Sequence, residues 1–465
     1  MKHLIRNLGL TFFSCLLCSG AHPQDLYTIL ELAIENDPTL KQAEAQYRAN
    51  RENLSQSRSA LLPSFGASGN TSRVTSGPTD DVFRTFPDPL TGAPISVLVQ
   101  PRHSYGNGLN NHGWGLNLSQ SVLNLASWYT FQSAKASDRA AAVNLAAQEQ
   151  DLIMRVAMAY FDVLRAQELL TTNVQEEEAA MRSLEQTRQR EEVGLVAITD
   201  VFDSQAAYDL ARNTTILQRD LLRARFEALE AITGQPHGDI DELRADFPIL
   251  EVDGSLIEWE DQAEDNSLAI AAARYNLEAS RKNLRARKAD RLPTVDLLGQ
   301  YGHIVTAPIL SQGIQIGGGA FDRTSLALSI NIPIYTGGAV SSRRRQAEQN
   351  LVAAQESLEL TKRQLTQNVR NAYRRVNTDV LVIAQRQQSI DSAQLALDAT
   401  ELGAEVGTRN IVEVLRAREN LFRALRQYAD ARFNYVLDIL VLKQVAGILT
   451  PEDIIALNEW LQSEG

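Results

Sequence analysis

The chain has 465 residues, a formal net charge of −12 and a mean hydropathy of −0.22. The acidic balance argues against nucleic acid as a partner, since its binders carry basic surfaces. The six histidines are scattered without ligand spacing, and both cysteines, Cys15 and Cys18, fall in the first twenty residues. A disulfide framework and a cysteine metal site are therefore not expected.

The first segment reads as an address. Lys2, His3 and Arg6 precede an apolar run from Leu8 to Leu17, and Ser19-Gly20-Ala21 is a small-x-small cleavage site, so residues 1–21 are expected to be a secretory signal peptide. The apolar run is too short to span a bilayer of about 30 Å. Lipidation at Cys18 is the weaker alternative, because Cys15 and Leu17 do not suit a lipobox. Beyond this leader no window offers the roughly twenty apolar residues of a transmembrane helix.

From Leu26 to about Ala60 apolar residues recur every three or four positions, with an interruption at Asp37-Pro38, which predicts helix. Leu61-Leu62-Pro63 ends it, and the period changes to two. Phe65, Ala67 and Gly69 alternate with Ser64, Gly66, Ser68 and Asn70. After a loop rich in Pro, Gly, Asp and Thr, Trp114, Leu116, Leu118 and Val122 alternate with Gly115, Asn117, Ser119 and Ser121. Two strands joined by a long loop are expected.

The second half repeats the plan. Arg291-Leu292-Pro293 matches the earlier Leu-Leu-Pro, Val295, Leu297 and Tyr301 share one strand face, and Leu326, Leu328, Ile330, Ile332 and Ile334 alternate with small or polar residues. The intervening Gly317-Gly318-Gly319 lacks the Gly-Lys-Ser/Thr of a phosphate cradle and reads as a plain loop.

No glycine or proline occurs from Leu116 to Val193 or from Ala339 to Leu402. As helices, these spans would be on the order of 100 Å long. At an offset of 213 residues, Val156, Val163, Leu170 and Leu184 correspond to Val369, Val376, Ile383 and Leu397. Beyond two short turns, Val201, Tyr208, Leu222 and Leu229 correspond to Val414, Leu421, Tyr435 and Leu442. A sustained seven-residue repeat predicts two antiparallel coiled pairs. Four strands with an apolar face must close in lipid, and one chain is too small for a water-filled barrel, so several chains are expected to share one.

The stretches VGLVAITDV (Val193 to Val201) and VGTRNIVEVL (Val406 to Leu415), the paired Leu-Pro motifs and the strand end at Pro333-Ile334-Tyr335 together resemble the TolC family of bacterial outer-membrane efflux channels. The resemblance implies a mixed α and transmembrane β fold: a homotrimer sharing a twelve-stranded barrel, four strands per chain, continued by a coiled-coil helical barrel in the periplasm. On the chain this places the N-terminal helix of the first repeat at 22–62, the first β-hairpin at 63–123, the first long helix pair at 124–236 and an equatorial linker at 237–262. The second repeat follows with a helix at 263–291, a hairpin at 292–335, a helix pair at 336–447 and an equatorial tail at 448–465.

The resemblance also implies an inner mouth at the turns. By position Arg409 would link to Asp200 and Thr199 as an aperture latch, Glu413 and Arg416 would ring the aperture, and Gly194, Leu195, Val196, Gly407 and Thr408 would dock an adaptor. Ala404 stands where relatives carry a latch tyrosine, and Arg416 where they carry a second acidic residue. Glu413 and Arg416 lie on one helix face and could pair, giving a mixed ring; alternatively Arg416 turns away into solvent. Gly194 and Gly407 also suit the left-handed position that ends a helix.

The expected partners are a periplasmic adaptor, an inner-membrane transporter of RND, ABC or MFS type, and outer-membrane lipid, with no cofactor, metal or catalytic residue. A structural coiled-coil protein of the envelope would explain the rods but leaves the strands without purpose, and a general porin has no use for long helices. Drug efflux and type I protein secretion use the same outer component, so the cargo is set by partners.

Overall fold

The structure is a computed structural model that describes residues 25–75, 81–100, 109–311 and 314–462; the expected leader lies outside them. The chain divides into two compact units. The long helices α3 (Leu125–Glu192) and α7 (Ala339–Glu405) run through both.

One unit comprises residues 47–142 and 272–359. Its centre is a four-stranded antiparallel sheet of β1 (Ser64–Val74), β4 (Leu109–Leu123), β6 (Thr294–Thr306) and β9 (Gly319–Asn331), in the order β1-β4-β6-β9. The register aligns Phe65, Leu118, Gly299 and Leu326 across the sheet, and then Ala67, Leu116, Tyr301 and Thr324. Opposed residues of antiparallel strands share a face. One face is therefore apolar, and the other carries rows such as Gly66, Asn117, Gln300 and Ser325. Phe65, Leu326, Leu328 and Ile330 are largely exposed, so none of the described residues covers them.

The first loop is more ordered than its composition suggests. It contains an antiparallel hairpin of β2 (Val82–Pro87) and β3 (Pro94–Gln100), in which Phe86 pairs with Ile95 on one face and Phe83 with Leu98 on the other. A smaller pair, β7 (Ile309–Ser311) and β8 (Ile314–Ile316), occupies the second loop.

The other unit comprises residues 25–46, 143–271 and 360–462. It contains α1 (Leu26–Asn36), the start of α2 (Pro38–Ser59), α4 (Ile198–Thr233), α5 (Leu256–Asn266), α8 (Ile411–Val445) and α9 (Pro451–Asn458), and the short strands β5 (Glu242–Leu243) and β10 (Leu461–Gln462) pair within it. Its core joins Leu26, Ile29 and Leu30 of α1 to Val156, Tyr160 and Val163 of α3, Leu229 of α4, Val376 of α7, and Tyr435 and Leu442 of α8. The seven-residue series is buried as expected at Val156, Val163, Leu184, Val369, Val376, Ile383 and Leu397; Leu170 is half-buried.

The order of elements occurs twice. Helices of 11 and 22 residues, two principal strands, and helices of 68 and 36 residues are followed by helices of 11 and 22 (α5 and α6, Leu268–Ala289), two principal strands, and helices of 67 and 35. The interruption expected at Asp37-Pro38 separates α1 from α2: Asp37 caps α2 by accepting from the Leu40 amide and is held by Arg155 at 2.8 Å. Burial alone would raise the pKa of Asp37, but the Arg155 guanidinium and the Leu40 and Thr39 amides override it and hold the carboxyl below its usual range. Helix α5 begins inside the stretch read as an equatorial linker. Ser255 and Glu258 form a capping box there, a local start signal that acts ahead of any apolar periodicity. The expected tail likewise contains α9, started by a capping box at Thr450 and Asp453.

Candidate functional site

The turn between α3 and α4 and the turn between α7 and α8 are built on one backbone motif. Gly194 takes φ +75°, its amide donates to the Glu191 carbonyl at 2.8 Å, and the Leu195 amide donates to Arg190 at 2.8 Å. Gly407 takes φ +78°, its amide donates to Ala404 at 3.3 Å, and the Thr408 amide donates to Gly403 at 2.8 Å. This is the Schellman arrangement, which satisfies the last carbonyls of a helix and needs a residue without Cβ at the left-handed position. The chain reverses in a few residues as a result. Leu195 and Val406 are left exposed, as are Gly194, Gly407 and Thr408, with Val196 half-buried.

The second turn is more elaborate. Thr408 Oγ1 donates to the Gly403 carbonyl at 3.0 Å, the Arg409 amide donates to the same carbonyl at 3.1 Å, and the Asn410 side chain caps α8 by accepting from the Glu413 amide at 2.9 Å. A Cβ on Gly403 would lie 2.7 Å from Cγ of Arg409, so the missing side chain is what lets the arginine stem fold over the end of α7. Gly403 is a site residue that periodicity does not announce. Its only signal in the sequence is that the glycine-free run stops one residue earlier.

Within one chain the charged residues of the turns make local contacts. Within the described chain Arg409 does not reach Asp200; its Nη1 lies 2.6 Å from Oε2 of Glu413. Glu413 sits four residues ahead, fixed by the Asn410 cap, and so offers the nearest carboxylate. That carboxylate is accordingly not paired with Arg416, which is exposed, whereas Asp200 is half-buried in the first turn of α4 beside exposed Thr199.

Behind the turns, Arg418 of α8 joins three helices: it donates to the Ala179 carbonyl of α3 at 3.0 Å and to Glu401 of α7 at 2.7 Å. Two turns further on, Arg426 donates to Asn173 at 3.0 Å and also pairs with Glu176, both on α3. Ala404 and Arg418 line a cleft of about 700 Å³ together with Arg182, Leu397 and Phe422. Among the described residues no group of three His, Cys, Asp or Glu side chains is placed to hold a metal ion, and no helix is long and apolar enough to cross a membrane.

A sheet with one bare apolar face and coiled helix pairs that end in tight exposed turns are the parts of an outer-membrane channel subunit with its helices in the periplasm. The chain belongs to the outer membrane efflux protein family, whose model matches residues 29–235 and 259–447. It is 34% identical over 450 residues to outer membrane protein TolC of Vibrio cholerae serotype O1, with 96% of each chain covered. It is 27% identical over 462 residues to the proteases secretion protein PrtF of Dickeya chrysanthemi, covering 98% of this chain and 95% of the relative. Its fold matches the Campylobacter jejuni CmeC outer membrane channel at a TM-score of 0.73 and 17% identity, over 98% of both chains. The protein is thus an outer-membrane channel of the efflux and type I secretion class.

Proposed function

We propose that three copies close one twelve-stranded barrel in the outer membrane and that their helices form a passive exit duct whose inner mouth lies at the two turns. The observation that carries this is the sheet: β1 and β9 are unpaired edges, and an open edge in lipid leaves backbone groups unsatisfied at several kcal/mol each. Exposed Phe202, Leu210 and Leu217 on α4, and Leu381, Leu395 and Leu402 on α7, offer apolar stripes for neighbouring copies to cover. The detergent-extracted protein should be trimeric and conduct ions in a planar bilayer. A monomer without current would overturn the reading.

Asp200 and Thr199 with Arg409 form the latch of this mouth, and Glu413 with Arg416 its ring. Docking of a periplasmic adaptor on Gly194, Leu195, Val196, Gly407 and Thr408 opens it, and an inner-membrane transporter of RND, ABC or MFS type supplies the energy. Exposed ion pairs contribute about 0–1 kcal/mol each, weak enough to release on docking. Asp200→Ala and Arg409→Ala should each raise the conductance of the isolated channel; unchanged conductance in both would place the latch elsewhere. Because Arg416 adds positive charge to the ring, multivalent cations should block weakly, and Arg416→Asp should tighten that block in single-channel recordings.

A further inference from the structure

Helix α6 presents a cationic stripe beside the sheet. Leu277, Leu284, Ala286 and Ala289 are buried, while Arg281, Arg285 and Lys288, spaced by four and three, are exposed. Among the described residues none of these three has an acidic partner, whereas neighbouring Arg287 reaches Asp290 at 3.5 Å. Just after β9, α7 adds exposed Arg343 and Arg345. In a chain of net charge −12 this concentration runs against the overall balance.

The position of the stripe restricts what it faces. Helix α6 ends at Ala289 and β6 begins at Thr294, so the stripe lies within roughly 10–20 Å of the sheet at 1.5 Å per helical residue. On one side α6 is joined to α3, where Ser133 Oγ donates to the Ala279 carbonyl at 2.8 Å. On the other it is followed by Arg291, which donates to Ser341 of α7 at 2.9 Å. With chain neighbours on both sides, the stripe is not at the seam between copies, which falls at the β1 and β9 edges. At the same end of the sheet, Ile332 and Ile334 continue the apolar row of β9 past its last residue, and Ile334, Tyr335 and Trp128 are exposed. An apolar band that ends in exposed aromatic side chains and then in cations is the pattern of a lipid interface.

We propose that Arg281, Arg285 and Lys288 bind the headgroups of anionic glycerophospholipids in the periplasmic leaflet, which rests on reading the sheet as embedded in lipid. The test is native mass spectrometry of the full-length protein released from nanodiscs of phosphatidylethanolamine with one fifth phosphatidylglycerol. The protein should retain phosphatidylglycerol above its share of the bilayer. Combining Arg281→Gln, Arg285→Gln and Lys288→Gln should lower that enrichment, by about fivefold per cation removed at low salt, and Arg281→Lys with Arg285→Lys should keep it. No enrichment in the parent protein overturns the proposal. So does a triple variant whose lipid retention is unchanged but whose reversal potential shifts, since the stripe would then line the bore and attract anionic cargo. Bilayer current from the parent and the triple variant is recorded in parallel: its loss in both would count against the duct itself, and its persistence isolates the lipid claim.

Discussion

Helices α3 and α4 and helices α7 and α8 are two versions of one hairpin, related by an offset of 213 residues, and they differ where polar side chains are concerned. Both turn on a left-handed glycine and carry the same apolar series, buried throughout in the second and half-buried at Leu170, Tyr208 and Leu222 in the first. Where the first hairpin has Arg190, Val196 and Ala197, the second has Gly403, Arg409 and Asn410, so only the second turn has a seated arginine and a side-chain cap. Further up, the charges are exchanged: Asp162 of α3 faces Arg225 of α4 at 3.4 Å, and Arg375 of α7 faces Asp438 of α8 at 3.2 Å. Beside the second pair stands Asp379, where the first hairpin has Ala166. Apolar spacing and the turn glycine are enough to build the hairpin, while polar groups are added where one copy is set apart from the other.

The largest test of this contrast is Gly403→Leu. A side chain there would displace Arg409 from Glu413 and destabilise the second turn by about 2 kcal/mol through overpacking, read as faster amide exchange across 404–413. Arg190→Leu at the matching position should leave exchange across 191–200 nearly unchanged. Next come the caps. Asn410→Ala should cost about 1 kcal/mol at the start of α8, and Ala197→Asn should stabilise α4 by a similar amount, so the pair of substitutions would make the hairpins alike.

The smallest effect is a dependence on pH. Burial, with the carboxyl of Asp438 alongside, pushes the pKa of Asp379 up from 3.8 to about 7, and Arg375 offsets this only in part. The folded chain thus holds more protons than the unfolded one between those values. Stability contributed by this site falls as pH rises from about 4 to about 7 and is level above. Asp379→Ala should flatten the corresponding slope in melting temperature, and a slope that survives would remove Asp379 from the contrast.

Most of the hairpin was legible in the sequence. The runs without glycine or proline end within a few residues of α3 and α7, and Gly194 and Gly407 stand at the turns because few other residues tolerate that φ. Strand alternation gave the faces of β1, β4, β6 and β9 and missed β2 and β3, whose short runs lie among prolines and glycines. The start of α5 was hidden because a capping box is a local hydrogen-bond pattern and leaves little trace in hydrophobic periodicity. The contact of Arg409 with Glu413 was hidden for a related reason. A pairing inferred across helices competes with a carboxylate four residues away in the same segment, and the choice depends on the room Gly403 leaves. The Asp379 and Asp438 pair escaped notice because residues 59 positions apart meet only through the register of two helices.

The unpaired borders of the sheet have a consequence for biogenesis. A lone chain exposes a greasy surface and two rows of free amides and carbonyls, so in the proposed three-copy barrel it is held back from the bilayer until companions arrive. Insertion then depends steeply on how many newly exported chains are present at once, and a shortage of them leaves aggregation as the competing fate.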